Sequence, residues 1–177
     1  MQTAPGSSVK EMKETMEATS RTFNSITDIN KRPTEISWTA AQVMQHLVLS
    51  NGGFVDIMRG SVIDSDRDPG QSIPMIRSIF LDFTTKMQSP DFIVPKDEAY
   101  DKSNLLSKFD NIKENLVNIM ETEDLSKLCT AFKLPQMGFL TRLEAVHFVL
   151  YHTQRHTHQL EKIQEALAKI EVPTGNS

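Results

Sequence analysis

The sequence predicts an all-α fold, a bundle of four main helices with one short extra helix, on three observations. Apolar residues recur at spacings of three and four along most of the chain. Two capping-box patterns, Thr39-Ala40-Ala41-Gln42 and Thr141-Arg142-Leu143-Glu144, each open a long apolar stripe. No strand pair, nucleotide-binding glycine fingerprint or internal repeat is visible. The 177 residues suit a single domain over positions 1–177, with a core that needs no covalent staple.

The first helix is expected from about Ser8 to Thr27, with Val9, Met12, Met16, Ser20, Phe23 and Ile26 on one face. A second opens at Thr39, where the hydroxyl and the Gln42 amide each satisfy an orphan backbone donor. Trp38 is placed to pack back on Val43. This helix carries Val43, His46, Leu47, Ser50, Phe54 and Ile57 and fades at Gly60. Gly52-Gly53 weakens its middle and invites close approach of a backbone or a ligand. Asp64 to Gln71 is turn-rich. The short extra helix, about Pro74 to Met87, has proline in its first turn and Ile76, Ile79, Phe80 and Phe83 on one side. Ser89 to Lys102 reads as a loop. The third main helix begins near Ser103 with Leu106, Phe109, Ile112, Leu116, Ile119 and Met120. A broken connector around Leu134 to Gly138 leads to the fourth, from Thr141 to about Ile170, with Pro173 marking its end.

Composition narrows the function classes. Apolar residues make up 38% and charged residues 24%, a globular rather than a disordered or membrane balance. The net charge is −4 and the basic residues are dispersed, which argues against nucleic acid as a partner. No stretch approaches the roughly 18 apolar residues that cross a bilayer. Met1 to Lys10 lacks the apolar segment of a signal peptide. With one cysteine, Cys129, there is no internal disulfide, and a soluble cytoplasmic protein is expected.

Histidine carries the chemistry. His152 and His156 stand four apart on the fourth helix, one above the other with Cβ atoms about 6 Å apart. At about 100° per residue they fall in one seam with Ala145, Val149, Leu160 and Ile163. His147 and His158 share a different face with Tyr151 and Gln154, so only one of the two pairs points inward. His46 lies on the core-facing stripe of the second helix. Two readings stand side by side: a set of satisfied core and surface histidines, or three neutral nitrogens around a divalent ion with positions left open, which suits zinc, nickel or iron.

Other patterns carry less. Glu144 and His147 match one Glu-x-x-His step of a di-iron bundle, but no second step exists, and a coincidence on the helix surface explains it. Thr153 after His152 excludes a metalloprotease HExxH. Cys129 reads as a buried small residue, the nine methionines as gap-filling core, and Lys10 to Glu14 as a solvated face.

Ser37 to Leu47, with a tryptophan ahead of a capped helix bearing His46-Leu47, and later His152 to Leu160, with the pattern HxxxHxxQ, resemble the DinB-like superfamily of metal-binding four-helix bundles. Outside these blocks the likeness is one of helical layout. The resemblance implies that His46, His152 and His156 are metal ligands. It also implies that the second and third main helices run parallel through a long crossover, for which Asp64 to Lys102 is long enough. Some members are S-transferases that use a low-molecular-weight thiol such as bacillithiol or mycothiol, and others are thiol-dependent isomerases. The expectation is therefore a metal-dependent thiol transferase or hydrolase acting on a small molecule, with a non-catalytic metal or small-ligand binder as the alternative. Gln159, one turn beyond His156, is a candidate to orient a ligand or bound water. Arg155 is a candidate to meet a cosubstrate carboxylate. For both residues the plainer account is the stronger, an ordinary polar helix position for Gln159 and a solvated or salt-bridged surface charge for Arg155. His147, Tyr151 and His158 are candidates for a homodimer contact, since relatives often pair, and equally for an exposed polar face.

Overall fold

The computed structural model describes residues 5–171 and is helical apart from one two-stranded sheet. Its elements are α1 (Pro5–Ser25), α2 (Ala40–Arg59), β1 (Val62–Ile63), α3 (Ile73–Leu81), α4 (Lys102–Thr122), β2 (Leu128–Cys129) and α5 (Arg142–Glu171). Helices α1 and α2 each pack against both α4 and α5, and α3 lies on α5. Met12, Met16, Phe23, Met44, Leu47, Phe109 and Leu116 fill the space between them. The first half of α5, touched by three other helices, is buried almost all round.

Both expected capping boxes form. Thr39 Oγ1 accepts from the Gln42 amide at 3.1 Å, while Gln42 Oε1 accepts from the Thr39 amide at 3.0 Å. Thr141 and Glu144 make the same reciprocal pair at 3.1 and 3.0 Å. Asp101 caps α4, with its carboxylate 2.7 Å from the Asn104 amide. At the far end of α2 the buried Arg142 donates to the Met58 carbonyl at 2.8 Å, satisfying one of the orphan acceptors of a helix terminus. Gly60 allows that end to turn, since a Cβ there would lie 2.9 Å from Ala131 Cβ.

Several expectations are corrected. A strand pair does exist: β1 and β2 run antiparallel with Val62 opposite Cys129, and each is too short to leave an alternating pattern. The extra helix ends at Leu81 rather than near Met87. Arg155 Nη1 takes the carbonyls of Phe80 (3.2 Å) and Asp82 (2.7 Å), and Nη2 takes that of Thr85. The Asp82 carboxylate accepts from both Thr84 and Thr85, which turns the chain out of the helix. On α1 it is Thr19, not Ser20, that is enclosed, bonded to Thr157 Oγ1 at 2.7 Å. On α4 Leu105 takes the buried position expected of Leu106. Met75 and Met87 are exposed, so not every methionine fills core. Cys129 is buried as expected, and burial pushes its thiol pKa up. No helix among the described residues is long and apolar enough to cross a membrane. Pro173 lies outside the described residues.

Candidate metal centre

The capping box fixes where α2 starts, and two turns later the helix aims His46 into the core against α5. There it meets His152 and His156, which the helical repeat stacks on the same face of α5. His46 Nε2 lies 3.1 Å from His152 Nε2, and His152 Nε2 lies 3.0 Å from His156 Nε2. One ligand atom from each of the three residues falls within 4.8 Å of the others, and all three side chains are buried.

The outer ring nitrogens determine what the inner ones can do. His46 Nδ1 donates to the Ile93 carbonyl at 2.9 Å, because a carbonyl can only accept. His156 Nδ1 donates to Gln159 Oε1 at 2.7 Å. Both rings carry their proton on Nδ1, so both Nε2 atoms present lone pairs to the centre. His152 can donate from Nε2 to only one of these two, and its own Nδ1 is buried without a partner. Whichever tautomer His152 adopts, a buried polar group stays unsatisfied, at about 1–3 kcal/mol.

A divalent ion removes that conflict. Nitrogens each about 2.0–2.1 Å from one ion stand about 3–3.4 Å apart, and the two measured separations fall in that range. Protonation favours binding as well. Burial lowers the pKa of His46 against the opposing bond to Ile93. Burial, then the neighbouring His156 and His46, hold His152 well below the ordinary histidine value. Burial and His46 push His156 down to about 3. All three are neutral at pH 7, the form that ligates a metal.

The cluster forms the floor of a cleft of about 1720 Å³. Trp38 stands 5.3 Å from the His46 ring, and Phe80 and Phe148 stand 5.2 and 5.9 Å from the His152 ring (centroid to centroid). These aromatic walls, the Ile93 carbonyl and Ser50 beside them were not singled out from the sequence as parts of the site. Trp38 carried a signal in its place ahead of the capped helix, whereas Ile93 reaches His46 through a loop of no regular pattern. Gln159 holds the His156 ring from behind. Arg155 also lines the cleft, and three of its five N–H groups are spent on the carbonyls of residues 80–85.

The remaining α5 histidines stand outside the converging three, although His158 lines the same cleft. His147 and Tyr151 were expected on a face turned away from the core, yet both are buried, within electrostatic reach of Glu11 on α1, and Tyr151 of Arg77 on α3. Neither side chain lies open on the surface of the chain. Because helices cover α5 on several sides, its angular position does not decide exposure. His158 stacks on Phe83 with ring centroids 4.3 Å apart. Glu144 is not on a surface either: it is fully buried and bonded to Arg67, Ser72 and Thr141.

No curated protein and no solved structure matches the chain. A family model does, over residues 11–160, a span that holds all three converging histidines. The chain belongs to the DinB superfamily.

Proposed function

We propose that His46, His152 and His156 hold one divalent ion, zinc, nickel or iron, and that the chain is a metal-dependent enzyme, most simply a thiol S-transferase. The observation that carries this reading is the convergence of three neutral, buried Nε2 atoms at the floor of an open cleft. The same reading makes α1, α2, α4 and α5 the four main helices of the family bundle, with residues 60–101 as the crossover that bears α3.

A divalent ion bound there supplies Lewis acidity, which lowers the pKa of a thiol or water that reaches it. The protein's own groups do the rest. Ile93 and Gln159 hold two imidazoles in the tautomer that points Nε2 inward. Trp38, Phe80 and Phe148 keep bulk water from the ring faces and lower the local dielectric, which strengthens charge interactions at the floor. Arg155 keeps two N–H groups without a protein partner among the described residues, and a carboxylate on a low-molecular-weight thiol is a fitting partner for them. The cleft favours catalysis over a closed storage site, because reactants have a way in.

A conjugation screen tests the proposal. Protein loaded with zinc, nickel or iron is offered several low-molecular-weight thiols and an electrophilic acceptor. Metal-dependent consumption of a thiol, lost in His152→Ala, is the expected result. Hydrolysis of the acceptor with no thiol consumed would move the assignment to a hydrolase. Inert protein with its metal in place would leave a non-catalytic binder.

A further inference from the structure

Among the described residues, seven of the eleven exposed large hydrophobic side chains line the one cleft that ends on the three histidines. Soluble surfaces scatter such residues singly, and a concentration of them marks a binding site. Phe92 is 69% exposed, Phe83 48%, Met87 45% and Phe132 39%. Phe83, Met87 and Phe92 belong to the strap of residues 82–93. Arg155 ties this strap down at one end, and the bond from His46 to the Ile93 carbonyl ties it at the other. The apolar lining continues inward without a break. The Phe54 and Phe148 rings pack tilted with centroids 4.4 Å apart, Phe148 meets Phe80 at 4.7 Å, and both Phe80 and Phe148 pack against the His152 ring.

The charged groups along the cleft do not select an ion of one sign. Asp56 and Asp91 offset Lys86 and Lys162, and Lys162 is already paired with Glu165 at 3.0 Å. The remaining cation, Arg155, spends three N–H groups on the carbonyls of residues 80–85 and is assigned above to the carboxylate of the thiol. A flat protein partner is a poor fit, because the apolar surface is concave and leads down to the imidazoles. The volume also exceeds the roughly 300–1000 Å³ of a site for one small ligand, which leaves room for two reactants.

We infer that the outer cleft binds the acceptor substrate, and that this acceptor is an uncharged molecule with an aromatic body of about two rings. The inference deepens the proposed function and rests on reading this cleft as the substrate site. Flat rings suit it because aromatic side chains line it from mouth to floor, and ring–ring contacts add to simple burial.

The test is equilibrium binding of a neutral naphthylamine fluorophore to the zinc-loaded protein, with zinc content measured separately on each sample. Saturable binding is expected, weakened about tenfold or more in Phe92→Ser and in Phe83→Ser. Both side chains are exposed, so their loss leaves the fold intact. Phe139→Ser, an exposed phenylalanine off the cleft, is expected to bind as the parent does. A naphthalene disulfonate of the same ring size is expected to bind at least tenfold more weakly. Absence of saturable binding, equal binding by all three variants, or equal binding of the disulfonate would overturn the inference. Protein that binds the fluorophore in this pattern but takes up none of zinc, nickel or iron would sink the metal assignment and leave the apolar site standing.

Discussion

Two buried polar clusters on α5, barely two turns apart, are built on opposite terms. Glu144 is fully enclosed and fully answered. Arg67 donates to both carboxylate oxygens at 2.6 Å, and the amides of Ser72 and Thr141 add bonds at 2.8 and 3.0 Å. His152 is buried too, yet Nδ1 has no partner and Nε2 faces two lone pairs. A satisfied cluster has no use for a further ligand, and it holds residues 67–72 onto the start of α5. A convergent cluster that cannot satisfy itself is a site for something else. His147 completes the comparison: its Nδ1 is also unpartnered beside Tyr151, but among the described residues it belongs to no group of three converging ligands.

Acid should separate the two clusters most strongly. In the metal-free protein the folded state holds His156 down at about 3, against about 6.5 when unfolded. The unfolded chain therefore binds more protons between those values. The stability this neutral histidine contributes is fully present above pH 6.5 and is lost as pH falls toward 3. Between pH 8 and pH 4 the loss from this group is about 3 kcal/mol. Burial alone would raise the Glu144 carboxyl, but the bonds from Arg67, Thr141 and Ser72 outweigh it and hold its pKa below the usual value. Its contribution survives down to about pH 4.5, and fades only below that. Urea melts across pH are expected to show loss of stability beginning near pH 6.5, and an onset only below pH 4.5 would break the contrast.

Glu144→Ala comes next. It strands Arg67 and two backbone amides and should cost about 3 kcal/mol of stability, with metal affinity per folded molecule unchanged. Chemical denaturation paired with metal titration reads both quantities. Gln159→Leu should do the converse, lowering metal affinity about 10- to 100-fold by freeing the His156 ring, while the stranded His156 Nδ1–H costs the metal-free protein only about 1 kcal/mol. The smallest effect is His152→Leu, which removes the unpartnered Nδ1 together with the donor that answers one neighbouring Nε2. It should leave the stability of the metal-free chain within about 1 kcal/mol of the parent's.

What could be read from the sequence follows the range of the forces involved. Capping boxes at Thr39 and Thr141 depend on residues three apart, so both helix starts were legible. The inward seam of His152 and His156, and the stripe bearing His46, follow from helical periodicity alone. The end of α3 is set by Arg155, more than seventy residues away, and no local pattern carries it. Sheet residues 62–63 and 128–129 pair over only two positions each, too few for a period. The burial of His147 was missed because angular position says which side a residue takes, not how many helices cover that side. Ile93, which orients His46 through its carbonyl, has no side-chain signature at all.

The central claim is that the three imidazoles form a metal site rather than a satisfied core. It is tested most directly by elemental analysis of the purified chain beside His152→Ala after identical metal exposure and dialysis. About one tightly held divalent ion per folded chain, falling to near none in the variant, is the predicted result. A chain that retains no metal, or a variant that takes up as much as the parent, would contradict it.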